Sequence, residues 1–327
     1  MVVHRVVDSV SERAKRAVMV RLMKRPARLR YAAGQFDRLT ARRVAELPSS
    51  APEVLHTWNW LPRTIEAVRR VNPNVAVLRD VAIARERDYE AGVDIRTEAE
   101  IVDLFLSPSP YVTGQLRSWG ITQDQIREIP FGVDTETFRP VSGLPHTPVR
   151  FAFVGAVSGR KGVPSLLRAW RRLSLPDAEL HLYGTLKPEV RPWLDGIRGV
   201  TAHGYTPVVN KLPYHHVFVF PSTREGSSKA VYEAMACGLP VITTHNAGSI
   251  ARDGLDGIVV DPDDDDALAA AVRRLHEDPD LRAEMGRNAR EQAERYPWER
   301  YARSVWQAYE SRIDGTQTRG TELHNDS

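Results

Sequence analysis

Short apolar runs alternate with segments of helical spacing along most of the chain. This alternation is typical of βαβ units and of a mainly parallel sheet, so the pattern predicts an α/β fold. The predicted strands are Glu53–His56, Val75–Leu78, Val102–Leu106, Ile126–Ile129, Val149–Val154, Leu180–Tyr183, Val217–Phe220, Val241–Thr243 and Ile258–Val260.

Apolar residues at helical spacing predict helices between several of these strands. The predicted helices are Arg63–Val71, Pro110–Trp119, 163–173, Ala267–Leu275 and 298–309. A segment rich in Pro and Gly, Pro140–Pro148, is the best candidate for a linker. We therefore expect two Rossmann-like domains, residues 1–140 and 149–295, with a ligand cleft between them and a polar, disordered tail over residues 312–327.

The composition limits the functional classes. With 327 residues, 42% of them hydrophobic and 27% charged, the chain is long enough for two ordinary globular domains. Its single cysteine, Cys237, excludes an internal disulfide and favours a reducing compartment. We find no apolar stretch long enough to cross a membrane and no secretory signal. These features predict a cytoplasmic protein.

Charge is concentrated at the N-terminus. Residues 1–50 contain twelve Lys or Arg against four Asp or Glu, while the whole chain has a net charge of only +3. The basic segment 13–30 includes interleaved apolar residues, so it fits either an anionic membrane surface or a solvated helix face, and the two interpretations remain open. We expect no nucleic-acid partner, because no recognition module is present.

The most informative segment is residues 220–244. An apolar strand ends in Pro221-Ser222, a polar loop follows, and a short helix ends at Gly238 before the next strand. Ligands of open α/β sheets bind at the carboxyl ends of strands, and helix N-termini there attract anions. The carboxylates Glu225 and Glu233 would suit sugar or ribose hydroxyls. This pattern predicts a binding site for a phosphorylated sugar compound.

Four ordered segments resemble the retaining family-4 glycosyltransferases of the GT-B fold. They are 103–109 with 129–140, 153–163, 220–244 and 253–260, and the likeness extends over roughly residues 53–309. Two Rossmann-like domains that face each other across a cleft are implied. The resemblance also implies that the helix at 296–311 crosses the domain junction.

The resemblance assigns roles on the donor side. It implies that Arg160 and Lys161 bind a diphosphate, although adjacent basic residues before a helix can simply be solvated. It implies that Glu225 contacts the donor sugar and that Glu233 accepts bonds from the nucleotide ribose. Capping of the helix by Glu225 and solvation of Glu233 are the alternative. Further donor contacts are implied at Gly155, Gly226, Ser227 and Ser228.

No metal and no cofactor are expected, because fixed Arg and Lys side chains can neutralise the leaving phosphate. The acidic run at 261–266 could be mistaken for a metal site. It is better explained as the N-terminal cap of the helix at Ala267–Leu275.

The sequence departs from the family pattern at several positions. We find no first strand with a glycine-rich loop before Gly34, so either the N-terminal domain lacks that strand and loop or the start codon is placed too far downstream. Ala156 stands where many relatives have Arg, and Gly226–Ala230 replaces the common Gly-Phe-Gly start. His56, Arg79 and Asp80 are candidates for acceptor-side contacts, but a packed histidine and an inward ion pair explain them equally.

The resemblance, together with these features, implies a retaining, metal-independent glycosyltransferase. It would move a sugar from a nucleotide-diphosphate donor to a glycan or lipid-linked acceptor in polysaccharide biosynthesis, at the inner membrane face if the basic segment binds lipid. The alternative is a catalytically impaired binding or scaffold protein with the same fold. A nicotinamide-dependent enzyme is disfavoured, because the loop after residue 154 lacks the Gly-x-Gly-x-x-Gly pattern.

Overall fold

A computed structural model of the chain describes residues 3–4, 17–20, 41, 53–58, 61–81, 87–88 and 93–322, with side chains for 41, 53–58, 61–81 and 95–313. The chain forms two compact units, Met1–Ile129 with Ala302–Ser327, and Pro130–Tyr301. The expected boundary at residue 140 differs from this division. Residues 130–138 belong to the second unit because Arg290 donates to the backbone oxygens of Thr135 and Phe138, both at 3.0 Å.

The described residues of the first unit form a six-stranded sheet with the order β1-β2-β3-β4-β7-β8. Its pairs are parallel except for β1 with β2, and β5 and β6 form a separate antiparallel pair. The strands are β1 (Val3–His4), β2 (Ala17–Val20), β3 (Val54–Thr57), β4 (Ala76–Asp80), β5 (Arg87–Asp88), β6 (Val93–Asp94), β7 (Leu104–Ser107) and β8 (Ile126–Glu128). The helices are α1 (Pro62–Val71), α2 (Ile95–Ala99) and α3 (Pro110–Ser118).

Strands β1 and β2 correct the sequence analysis, which predicted no strand before residue 53. Val18 and Val20 of β2 lie in parallel register with Leu55 and Thr57 of β3. Polar and basic neighbours hide this short apolar run from a search based on periodicity. Apart from β1 and β2, residues 1–40 lie outside the described residues, including the rest of the basic segment 13–30 and the region where the glycine-rich loop was sought.

The second unit contains a six-stranded, fully parallel sheet with the order β11-β10-β9-β12-β13-β14. The strands are β9 (Val149–Val154), β10 (Ala178–Tyr183), β11 (Val200–Gly204), β12 (Val217–Phe220), β13 (Val241–Thr244) and β14 (Gly257–Val260). The helices are α4 (Val163–Leu173), α5 (Arg191–Leu194), α6 (Lys229–Ala236), α7 (Asp265–Glu277), α8 (Pro279–Glu294) and α9 (Trp298–Glu322), which continues into the first unit's residues. Of these strands, only β11 was missed, because its largely exposed residues carry no apolar run.

The strands of this sheet are largely apolar in sequence because they are buried. Strands covered by helices on both faces are nearly continuously hydrophobic, and Phe151, Phe153 and Phe218 are fully buried. Helix α4 contributes Trp170, whose ring meets that of Phe151 edge to face at a centroid distance of 5.3 Å. The acidic run caps α7 as predicted, since Asp264 accepts from the backbone N–H of Ala267 at 2.9 Å.

The end of the chain differs from the expected disordered tail. The backbone remains helical to Glu322, well beyond the predicted end at residue 311. Arg312 donates a hydrogen bond to the backbone oxygen of Asp124, which holds the first turn of this extension against the first unit. Among the described residues, no helix combines the length and the apolar character that crossing a bilayer requires.

Candidate active site

The strand order of the second unit creates a switch point between β9 and β12. Strand β9 comes first in this unit and lies between β10 and β12. The next strands, β10 and β11, lie on one side of β9, and the chain then crosses to the other side to form β12, β13 and β14. A crevice forms at the carboxyl ends of strands where the order reverses in this way, and ligands of open α/β sheets bind there. The loops that follow β9 and β12 carry most of the predicted donor-side residues, and they meet at this point.

The loop after β9 is shaped by two glycines. Gly155 has φ +151° and Gly162 has φ +69°, values that side-chain-bearing residues rarely adopt. A Cβ atom on Gly162 would lie 1.8 Å from the backbone oxygen of Pro221. The two loops are therefore pressed together, backbone to backbone. Between these glycines, residues Gly159–Lys161 form a single 3-10 turn that leads into α4.

Hydrogen bonds tie the loop after β12 to this turn. The backbone oxygen of Arg160 accepts from Thr223 N at 3.1 Å, from Thr223 Oγ1 at 3.0 Å and from Ser222 Oγ at 3.2 Å. On the other side, Asn246 Nδ2 donates to Thr223 O at 2.8 Å. Glu225 N donates to Asn246 O at 2.8 Å. These hydrogen bonds to backbone atoms hold the loop in place without a bound ligand.

Arg160, Lys161 and Glu225 converge in this frame. Arg160 Nη1 lies 3.2 Å from Glu225 Oε2, and the ammonium of Lys161 contacts the same oxygen. The Lys161 and Glu225 side chains are each only 12% exposed, so each charge depends on the other for compensation. Lys161 Nζ also lies 4.9 Å from the centroid of the Phe220 ring.

Burial changes the protonation of this cluster. Desolvation and, to a smaller extent, the positive charge of Arg160 lower the pKa of Lys161 to about 7. Contact with the Glu225 carboxylate favours the ammonium form and opposes these effects. A buried lysine with a depressed pKa beside a second cation is a frequent feature of functional sites.

The remaining donor-side residues lie at the start of α6. Ser227 and Ser228 are buried, and Ser227 Oγ donates to Tyr232 Oη at 3.1 Å. Ser228 occupies the N-cap position, but its side chain accepts no bond from the first turn. No side chain therefore caps the N–H groups of the first turn of α6, and such groups attract anions. Gly226 lies buried in the loop directly before these serines.

Glu233 lies in the second turn of α6 and is half-buried. Desolvation raises the pKa of its carboxyl group, while the charge of Lys229 lowers it. The ammonium of Lys229, the first residue of α6, lies over two rings, 5.1 Å from the Trp298 centroid and 5.7 Å from that of Phe131.

The three residues predicted on the acceptor side are buried in the first unit. His56 Nε2 lies 2.8 Å from Asp80 Oδ2, and His56 Nδ1 is hydrogen-bonded to Tyr309 Oη at 2.7 Å. Arg79 pairs with Glu98 through Nε and Oε2 at 3.0 Å. The structure therefore brings His56 and Asp80 together at the carboxyl ends of β3 and β4, and it makes Arg79 part of an inward ion pair.

Sequence reasoning missed Tyr309 and Glu98 as partners. Tyr309 was part of an apolar helical stripe, which gave no sign that its hydroxyl would meet a histidine 253 residues away. Glu98 is a single acidic residue in a short helix. No local spacing rule connects it to Arg79.

Comparison with known proteins supports the resemblance found in the sequence. Residues 148–278 match the family Glycosyl transferases group 1. D-inositol 3-phosphate glycosyltransferase of Saccharomonospora viridis is 28% identical over 82% of this chain and 71% of its own length. MMP alpha-(1->4)-mannosyltransferase of Mycolicibacterium hassiacum is 31% identical over 67% of this chain, but this chain covers only 56% of that relative.

Solved structures confirm the predicted GT-B fold. Sucrose-phosphate synthase from Thermosynechococcus elongatus is 25% identical, with a TM-score of 0.72 over 89% of this chain and 81% of its own. Anabaena HepE in complex with UDP and glucose has a TM-score of 0.67 at 16% identity, over 86% of this chain and 83% of its own. At that identity, the second likeness concerns the fold alone.

Proposed function

Because this chain belongs to the glycosyl transferases group 1 family, we propose that it transfers a sugar from a nucleotide-diphosphate donor to an acceptor hydroxyl, with retention of configuration and without a metal. The observation that carries this proposal is the convergence of Arg160, Lys161 and Glu225 at the switch point of the second sheet. Two cations there can face a diphosphate, and one carboxylate can face a sugar.

The chemistry requires charge neutralisation at the leaving group. The bond between the anomeric carbon and the phosphate oxygen breaks, and its electron pair stays on the departing diphosphate. The acceptor oxygen bonds to the anomeric carbon from the same face, and its proton passes to the departing phosphate oxygen. No side chain is needed as a base. Preorganised cations aimed at the developing charge are effective stabilisers of such a step.

Arg160 and Lys161 are suited to that stabilisation. Without a ligand, both are compensated by the single Glu225 carboxylate. A diphosphate supplies a stronger counter-charge, so it would take over both cations and release Glu225 to accept hydrogen bonds from donor-sugar hydroxyls. The N–H groups of Gly226, Ser227 and Ser228 at the start of α6 would bind the same phosphates. Gly155, which forms the turn directly after β9, would let the donor approach the backbone closely.

Glu233 is proposed to bind the nucleotide ribose. An ionised carboxylate only accepts hydrogen bonds, which matches two neighbouring hydroxyls of a ribose. Its half-buried position in the second turn of α6 strengthens such bonds, because screening by water is reduced.

We further propose an acceptor class and a location for the reaction. A glycan or lipid-linked acceptor in polysaccharide biosynthesis would fit a protein whose basic segment 13–30 attracts anionic lipid headgroups at the cytoplasmic face of the membrane. For His56, Arg79 and Asp80 we propose a positioning role in place of the direct acceptor contact that the sequence suggested. Since these side chains are buried and paired, they would position the strand ends and leave acceptor contact to other groups.

A binding panel tests the proposal. UDP, GDP and ADP, together with their common sugar conjugates, are added to the full chain, and the melting temperature is recorded. We expect one nucleoside diphosphate to raise it, because a ligand that binds only the folded form stabilises that form. Arg160→Ala and Lys161→Ala should lose the effect. Arg273→Ala, which removes an exposed cation of α7, should keep it.

Transfer is then measured as release of the nucleoside diphosphate in the presence of an acceptor glycan, and NMR of the product reports the anomeric configuration. Absence of any stabilising nucleotide at millimolar concentration would contradict the donor assignment. An inverted product would contradict retention alone.

A further inference from the structure

The ammonium of Lys229 lies close to two aromatic rings, those of Phe131 and Trp298, which together we call the aromatic bracket. The ammonium lies 5.7 Å and 5.1 Å from the two ring centroids. Cations within about 6 Å of a ring centroid are attracted by the negative face of the ring. Lys229 is the first residue of α6, so the bracket fixes a positive charge at the start of that helix.

The aromatic bracket is a built part of the second unit. A Cβ atom on Gly132 would lie 2.5 Å from Trp298 Cα, so the segment that carries Phe131 is packed directly on the start of α9. Trp298 also meets Tyr301 edge to face at 5.6 Å between centroids, and Tyr301 meets Phe131 at 6.0 Å. These contacts restrain both rings independently of Lys229.

One helical turn after Lys229 lies Glu233. Residues four apart on a helix are neighbours on its surface, so the side chains of Lys229 and Glu233 leave α6 on the same side. Among the described residues, the Glu233 carboxylate forms no close ion pair, so Lys229 acts on it only as a neighbouring charge. Burial disfavours its charged form, and Lys229 is the charge that favours it.

Other titratable groups around α6 do not replace Lys229. Arg290, on the packed helix α8, donates from Nη1 to the backbone oxygens of Thr135, Phe138 and Ala236, and its Nε binds Glu294 Oε1 at 2.6 Å. Cys237, the C-cap residue of α6, lies one turn after Glu233, and burial raises the pKa of its thiol. The Tyr232 hydroxyl is engaged by Ser227.

We propose that Lys229, held by the aromatic bracket, is a positioning residue that keeps Glu233 ionised for its contact with the donor. The inference rests on the proposed function, in which Glu233 accepts bonds from two ribose hydroxyls. A protonated carboxyl would have to donate one of its hydrogen bonds and could no longer accept from both hydroxyls. Lys229 therefore extends ribose binding to lower pH.

The first test does not depend on any ligand. The carboxyl carbon of Glu233 is followed by 13C NMR as the pH is varied, in the wild-type chain and in Lys229→Met and Lys229→Arg. Loss of the cation should raise the titration midpoint by about 0.3 pH unit, the size expected for a charge pair four residues apart. Lys229→Arg should match the wild type. An unchanged midpoint in Lys229→Met overturns the proposal.

The second test measures binding of UDP and of 2′,3′-dideoxy-UDP by calorimetry between pH 5 and pH 8. We expect Lys229→Met to weaken UDP binding about twofold at the acidic end and to leave it unchanged at pH 8. Dideoxy-UDP should be unaffected throughout, because it lacks the hydroxyls that Glu233 binds. Glu233→Gln should abolish the effect of Lys229→Met on UDP.

Two results would overturn the inference in distinguishable ways. Equal weakening of both nucleotides at every pH would show that Lys229 contacts phosphate directly. A changed Glu233 midpoint with no binding of either nucleotide would remove the donor role and leave only the charge coupling. In that case the assignment of a nucleotide donor and the ribose contact both fail, while the NMR result still supports the charge coupling between Lys229 and Glu233.

Discussion

The backbone oxygen of Pro221 lies so close to Gly162 that a Cβ atom on the glycine would approach it to 1.8 Å. This single contact joins the end of β12 to the entry of α4. It thereby sets the distance between the loop that carries Glu225 and the turn that carries Arg160 and Lys161. The charge cluster at the switch point depends on a position where only glycine fits.

Gly162→Ala should therefore damage both stability and donor binding. The added methyl group collides with backbone, and the φ of +69° is strained for alanine. We expect a loss of about 2 kcal/mol or more in the free energy of unfolding, measured by urea denaturation. Gly159→Ala is the matched control, because a Cβ there meets no atom within 4 Å. Equal stability of the two variants would contradict this account.

Donor binding should weaken as the pH rises above about 7. In the ligand-free protein, burial lowers the pKa of Lys161 to about 7, so the lysine loses its charge as the pH rises through that value. A diphosphate binds the charged form and is expected to raise this pKa, so binding takes up a proton. The dissociation constant for UDP should then increase by up to about tenfold per pH unit over this range.

Calorimetry from pH 6.5 to pH 8.5, in buffers of different ionisation enthalpy, measures both the affinity and the proton uptake. Lys161→Arg serves as the control, since a guanidinium stays charged over the whole range. Its affinity should be independent of pH. A wild-type profile as flat as that of the arginine variant would show that Lys161 is already fully charged at pH 8.5.

Glu225→Gln should lose most of the transfer rate and retain the fold. The amide preserves the shape of the side chain but removes the charge that faces the donor sugar, and we expect kcat to fall by about 10² or more. Lys161 loses its counter-charge in this variant. Because its pKa is already depressed, it can release a proton, so the cost in unfolding free energy should stay near about 1 kcal/mol. Retention of full transfer activity would remove Glu225 from the site.

Tyr309→Phe should destabilise the first unit without abolishing nucleotide binding in the second. The hydroxyl bonds to His56 Nδ1 at 2.7 Å in a buried position, and its loss leaves that nitrogen unpaired. We expect a cost of about 1–3 kcal/mol in the free energy of unfolding. Tyr111→Phe offers a control on a half-buried tyrosine of the same unit. A loss of UDP affinity equal to that of Lys161→Ala would contradict the assignment of this residue to the first unit alone.

The sequence predicted much of the second unit because its strands are buried on both faces. Largely apolar runs such as Val149–Val154 and Val217–Phe220 have the same bounds in the structure. Prediction was poorer for elements that lack a local apolar pattern and depend on tertiary contacts. The exposed strand β11 carries no apolar run, and β2 lies between polar and basic residues. Helix α9 continues through a polar tail that composition alone suggested to be disordered.

By itself, the sequence determined the residue types that the chemistry needs, since strand-end loops, basic pairs and spaced carboxylates are local features. Only the tertiary structure decided which of them meet. Arg160 and Glu225 are 65 residues apart and come within 3.2 Å because the strand order reverses between β9 and β12. His56 and Arg79 instead found buried partners. Long-range pairing depends on sheet topology and packing, and neither of these is encoded in the spacing of neighbouring residues.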